Sequence, residues 1–223
     1  MKHFKTKVNE NEIINESFQD LFKRYPLLKN LEDPFVKSIN LILNSLRQNG
    51  KILVCGNGGS ASDSEHIVGE LLKGFRSKRK ISQEFTELLK SNLNSDGQIL
   101  AENLQSPIPA ISLTGHPSFA SAFANDQNYE FTFAQHLLGL GRKGDILLAI
   151  TTSGNSPNVL WAAKLAKVIG IKVISLTGAS GGNIKKYSDI NLNAPSDLVH
   201  HIQELHLPIY HSICFALEQV LFD

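Results

Sequence analysis

Two side chains with acid–base chemistry, His66 and Glu70, stand four residues apart, a spacing that puts both on one face of a helix. Just before them runs Lys51-Ile-Leu-Val-Cys-Gly-Asn-Gly-Gly-Ser60. Its apolar residues 52–55 read as a short buried strand. Gly56, Gly58 and Gly59 break that strand, and helical spacing resumes from Ser60 to Glu70. A glycine turn between a strand and a helix N-terminus leaves backbone N–H groups unpaired at the positive end of a helix dipole, which suits an anion. An anion cradle beside an acid–base pair points to chemistry on a small phosphorylated molecule.

A second turn repeats the arrangement. The apolar run 146–150 ends in Thr151-Thr-Ser-Gly-Asn-Ser156, and Pro157 suits the first turn of a following helix. Backbone N–H groups and the hydroxyls of Thr151, Thr152, Ser153 and Ser156 can hold a phosphate dianion without a lysine. Helix capping would account for one of these hydroxyls, not four. The phosphate therefore falls to this second turn. A third turn, 177–182, reads equally as an anion site or a plain turn. In an open parallel sheet both principal turns lie off the carboxyl ends of strands, where they can face one crevice.

The third source of chemistry is the last helix, 198–221, apolar almost all round and so expected to be buried. Polar residues inside such a helix need partners. His211 follows Gln203 by eight positions, about 80° on a helical wheel, and follows Glu204 by seven. Either could share its pocket, and spacing does not choose between them. Pro208 removes one helical hydrogen bond and predicts a kink just ahead of His211. His136 and His206 read as hydrogen-bonded structural residues, and His200-His201 as a rim pair. His66 is open between a structural role, a ligand and an orienter of Glu70. His3 carries nothing.

The elements that must position these groups follow from periodicity. Residues 10–46 read as a helical pair punctuated by Pro26 and Pro34. Its apolar stripe is wide enough to predict cover by another subunit. Strands are expected at 52–55, 110–113, 146–150, 173–176 and 190–192, with helical patterns near 129–138, 158–169 and 184–186. That alternation predicts one parallel sheet with helices on both faces. Residues 77–106 read as an inserted helical excursion, and 1–223 as a single domain. The basic run from Lys73 to Lys80 reads as a solvated linker.

With 223 residues, 42% hydrophobic, 19% charged and a formal charge of +1, the chain is globular. Nothing in that balance calls for nucleic acid or a membrane surface. Cys55 and Cys214 read as small core residues. The first twelve residues lack the apolar run of a signal peptide, so the expected location is the cytoplasm.

Three segments in order, CGNGGSASDSEH, ITTSGNSPNV and IQELHLPIYH, resemble the sugar isomerase (SIS) domain family, most closely the phosphoheptose isomerases. The likeness runs from about residue 51 to the C-terminus, and the helical pair before it also suits that family. It implies a three-layer α/β/α sandwich with a mostly parallel, flavodoxin-like five-stranded sheet. It also implies an aldose–ketose isomerase acting on sedoheptulose 7-phosphate. Ser153, Asn155, Ser156 and the neighbouring Thr151 and Thr152 would hold the phosphate. Asn57, Gly58, Gly59, Ser60, Asn125, Asp126 and Gln203 would contact the sugar. Glu70 would be the base and His211 its acid–base counterpart. A zinc ion would lie among His66, Glu70, Gln203 and His211, with no nucleotide cofactor. A homotetramer with sites between subunits is implied as well.

The sequence departs from that pattern at Lys73-Gly74, where the family has Gly-Arg, at His116, where an aspartate often stands, and at His200-His201. These positions concern the sugar, so an isomerase for another sugar phosphate is one alternative. A non-catalytic sugar-phosphate-binding regulator is the other. It has no need of an acid–base pair, and Glu70 and His211 argue against it.

Overall fold

The computed structural model describes residues 10–222, so His3 lies outside the described residues. Five parallel strands, β1 (Ile52–Cys55), β2 (Ala110–Ser112), β3 (Ile146–Ile150), β4 (Lys172–Thr177) and β5 (Ile190–Asn193), form one sheet in the order β2-β1-β3-β4-β5. A sheet covered on both faces needs apolar residues on both, and β1 and β3 are buried at every position. The pleat divides β1 between two cores. Ile52 and Val54 enter one, Leu53 and Cys55 the other. No helix among the described residues is long and apolar enough to cross a membrane.

One face carries α1 (Glu10–Arg24), α2 (Glu32–Arg47), α3 (Gly59–Leu72) and α8 (Val199–Phe222). The apolar stripe of α1 and α2 is already covered within the chain. Ile14, Phe18, Leu21, Phe35, Ile39 and Leu43 are buried in the core that Ile209, Ile213 and Leu217 of α8 complete. The stripe expected to need another subunit therefore gives no argument for one. The opposite face carries α6 (Thr132–Leu140) and α7 (Pro157–Ile169), with Phe133, Leu137, Val159 and Ala163 buried. Helix α5 (Pro117–Asp126) has no sequence-based counterpart, because its small and polar residues make no buried stripe.

The excursion is a helical hairpin. Helix α4 (Gln83–Asn103) breaks at Asn94, whose backbone turns to φ 49° and ψ −121°. Gly97 lets the second arm close on the first, since a Cβ there would collide with the Leu89 carbonyl. A bridge between Lys80 and Gln105 and a bond from the Ser106 N–H to the Arg79 carbonyl (2.6 Å) shut its base. Phe85, Leu88, Ile99 and Leu100 are exposed on it.

Candidate active site

The strand order reverses between β1 and β3, and in doubly wound sheets ligands bind at such a switch point. A cavity of about 270 Å³ opens there. Asn57, Gly58, Gly59 and Ser60 of the first turn line it, facing Thr151, Thr152 and Ser156 of the second. Gln203 and Val199, from the first turns of α8, close it. Eight of the expected substrate residues thus share one crevice.

The second turn owes its shape to glycine and to the third turn behind it. Gly154 sits at φ 66°, and a Cβ there would strike the Gly181 carbonyl. The Ile184 N–H donates to Gly154 O (3.0 Å), Gly178 N–H to Thr152 O (2.8 Å) and Asn183 N–H to Asn155 Oδ1 (3.0 Å). Residues 178–184 brace the hydroxyl turn. Ser156 is the N-cap residue of α7 but makes no side-chain cap; its hydroxyl lies 3.0 Å from Thr151 Oγ1 instead. Local capping does not explain it. Asn155 folds back on Ser153, donating its N–H to Ser153 Oγ (3.1 Å) and its side-chain amide to Ser153 O (2.9 Å).

The two turns are clamped together. Asn57 Nδ2 donates to Asn158 Oδ1 and Asn158 Nδ2 to Asn57 Oδ1, each at 2.8 Å, and Tyr129 OH also donates to Asn57 Oδ1 (2.8 Å). The Asn57 carbonyl oxygen is therefore saturated, and one amide hydrogen is left for a ligand. Neither Asn158 nor Tyr129 was singled out by sequence. Asn158 is the last residue of the SGNSPN segment, which is the signal that could have found it. Asn125 and Asp126, at the end of α5, are exposed and bonded to each other (3.0 Å).

His66, Glu70 and His211 form a second group. His66 Nε2 is 3.3 Å from Glu70 Oε1, and the His66 and His211 rings are 5.0 Å apart, edge to face. Lys73 Nζ holds Glu70 Oε2 at 2.7 Å. His211 Nε2 is buried without a partner. Burial lowers the pKa of His211, with His66 and then Arg24 pushing the same way and Glu70 against them. The ring is thus neutral near pH 7. His206 is fixed by Thr177 O (3.2 Å) and pushed down to about 4 by burial, and His136 bonds Leu113 O (2.9 Å); both are structural.

Gln203 and His211 differ in height along α8. Eight residues at 1.5 Å each separate them by roughly 12 Å along α8, and Gly59 and Glu70 stand roughly 16 Å apart along α3. Gln203 lies against Gly59 in the cavity, while His211 packs on His66 and Phe75. Of the four expected zinc ligands, His66, Glu70 and His211 are grouped, and Gln203 lines the cavity. Among the described residues, no group of three or more His, Cys, Asp or Glu could hold a metal ion.

The basic run is not a free linker. Arg79 is buried, with Nε 2.6 Å from Glu218 Oε1, and it donates to the carbonyls of Leu71 and Glu70 at the end of α3. Glu218 also takes the N–H groups of Phe75, Arg76 and Ser77.

The SIS domain family matches residues 16–108 and 123–215. The phosphoheptose isomerase of Helicobacter pylori strain P12 is 38% identical over 192 residues, 86% of this chain and 86% of that protein. That of Cytophaga hutchinsonii is 40% identical over 191 residues, 85% of this chain and 86% of its own. This chain belongs to the phosphoheptose isomerase family. Solved family members agree in fold. The Francisella tularensis phosphoheptose isomerase superposes with a TM-score of 0.72 at 32% identity, covering 93% of this chain and 97% of its own. GmhA of Neisseria gonorrhoeae gives 0.70 at 31%, covering 94% and 98%. The five-stranded parallel sandwich is the fold the resemblance implied. The match beginning at residue 16 takes in α1 and α2, the helical pair expected to suit the family.

Proposed function

We propose that this protein interconverts sedoheptulose 7-phosphate and an aldose heptose 7-phosphate, with Glu70 as base and His211 as its acid–base partner. The observation that carries the reading is the Glu70–His66–His211 group. It brings together a carboxylate and an imidazole whose free nitrogen has no partner in the protein. The phosphate rests on Thr151, Thr152, Ser153, Asn155 and Ser156 at the start of α7, and the sugar extends along Asn57, Gly58, Gly59, Ser60 and Gln203. Glu70 takes the proton from the carbon beside the carbonyl, giving an enediolate, and returns it to the adjacent carbon. Neutral His211 moves a proton between the two oxygens, since a neutral imidazole both donates and accepts. No step is routed through zinc; bound by His66, Glu70, Gln203 and His211, the ion would polarise the sugar's oxygens.

Gln203 at the cavity and His211 of the acid–base group are separated by roughly 12 Å of rise along α8, a span that a neighbouring copy could also bridge. We infer that a second copy supplies the acid–base group to each cavity, in a homotetramer or another closed assembly. Incubation with sedoheptulose 7-phosphate should yield the aldose. Glu70→Gln should lower turnover by about two to four orders of magnitude with the fold intact. Unaltered turnover would remove Glu70 from the mechanism. His116 favours a second reading, an isomerase for a different ketose phosphate. Its ring packs on His136 (4.8 Å), and an imidazole cannot accept from two sugar hydroxyls as a carboxylate can. Turnover of that other substrate alone would establish it.

A further inference from the structure

The clamp between the two turns has a third arm, and it comes from outside both. Tyr129 begins a single turn of 3₁₀ helix, Tyr129–Phe131, that follows α5. Two contacts fix that turn. Asn128 Oδ1 accepts the Glu130 N–H (2.8 Å), and the Phe131 ring packs on Trp161 of α7 at 5.1 Å. Tyr129 itself is 55% exposed, so burial does not explain where its side chain lies. Its hydroxyl donates to Asn57 Oδ1 (2.8 Å).

The remaining donor and acceptor roles follow from one backbone amide. The Val159 N–H can only donate, and its partner on Asn158 lies 3.0 Å away, so that atom is Oδ1. The same oxygen takes Asn57 Nδ2, and Asn158 Nδ2 in turn donates to Asn57 Oδ1, each at 2.8 Å. With the Tyr129 hydroxyl as well, Asn57 Oδ1 is filled. To the cavity it lines, the Asn57 side chain therefore offers a donor and no acceptor. Two donors on its oxygen also polarise the amide and strengthen the N–H that remains.

A sugar hydroxyl can be held by either role. The carbonyl oxygen of the ketose is different, because it gains negative charge as the enediolate forms. A donor already in place is what such an oxygen requires. We infer that Tyr129 is a positioning residue: with Asn158 it locks the Asn57 amide so that its free N–H serves the enediolate oxygen. The amide hydrogen stays on nitrogen. The electron pair left by the proton that Glu70 removes moves into the new carbon–carbon double bond, and the former carbonyl pair comes to rest on that oxygen. This deepens the isomerase reading and rests on it.

Tyr129→Phe keeps the ring and, at an exposed site, leaves the fold intact. In the full-length variant, kcat for sedoheptulose 7-phosphate should fall about three- to tenfold, the scale of one hydrogen bond, while KM stays within about twofold. Two inhibitors separate positioning from packing. A 6-phosphohexonohydroxamate carries the planar, anionic oxygens of the enediolate. Heptitol 7-phosphate carries the phosphate and hydroxyls without them. In calorimetry the parent should bind the hydroxamate more tightly, and Tyr129→Phe should weaken that binding about three- to tenfold while heptitol 7-phosphate stays within about twofold. An unchanged kcat, equal weakening of both inhibitors, unchanged hydroxamate binding, or a parent without preference for the hydroxamate overturns the inference. Glu70→Gln tests the base separately. Full turnover in that variant removes the base, while the inhibitor preference, which needs no turnover, still reports on Tyr129.

Discussion

At the residue scale, the hydroxyl turn depends on one backbone conformation. Gly154 combines a positive φ with a neighbouring carbonyl that leaves no room for a side chain. Gly154→Ala should lower stability by about 1–2 kcal/mol from the left-handed backbone alone, more with the clash. It should also raise KM for the phosphorylated sugar more than it lowers kcat. Thermal unfolding and steady-state kinetics check both, and a KM unchanged in a stably folded variant would take the phosphate away from this turn. The turn itself was legible in the sequence, because strand, small residues and helix follow one another without a gap. Its brace at residues 178–184 and the Asn57–Asn158 clamp were not. Those contacts join segments whose pairing only the sheet decides.

At the scale of elements, the apolar runs of β1 and β3 and the periodic stripe of α7 identified themselves, since burial on both faces or along one stripe leaves a mark on local composition. Helix α5 left none. The ionic knot at the end of α3 was hidden for another reason: Arg79 and Glu218 stand 139 positions apart, and in isolation Arg79 looks like one cation in a basic run. Burial raises the Glu218 carboxyl, but the amides of Phe75 and Arg76 and the guanidinium of Arg79 outweigh it, so its pKa falls below the ordinary value. A carboxyl depressed on folding adds stability above its unfolded pKa and loses it as pH falls through the folded one. Unfolding midpoints in urea should therefore drop on acidification below the usual carboxylate range, with a shallower slope in Glu218→Gln. Arg79→Ala strands a buried carboxylate and should cost about 3–5 kcal/mol. A loss under 1 kcal/mol would show the pair to be dispensable.

At the scale of the whole molecule, the α4 hairpin stands apart from the sheet and its two cores. Gly97 is the one buried residue among those described in α4, and a backbone bond joins the two ends of the excursion. Replacing residues 82–104 by a two-residue turn should leave the melting temperature within a few degrees and the isomerase activity in place. A variant that fails to fold would show that the hairpin is needed by the core. Here the sequence indicated a helical excursion but not its break, because Asn94 adopts a positive φ inside an otherwise regular pattern.

The roughly 12 Å between Gln203 and His211 is a span that a neighbouring copy could also bridge. If every cavity borrows its neighbour's acid–base group, two different dead variants can repair each other. Glu70→Gln spoils the lender, and Gly154→Ala together with Ser156→Ala spoils the borrower. Refolded as a mixture, some subunit pairs join an intact cavity to an intact group, and turnover should return where each parent alone has little. A mixture no more active than its parents would confine the chemistry to single chains. The spacing of two polar residues on one helix thus becomes a statement about heredity, in which two broken copies of a gene can serve in one cell where either alone would fail.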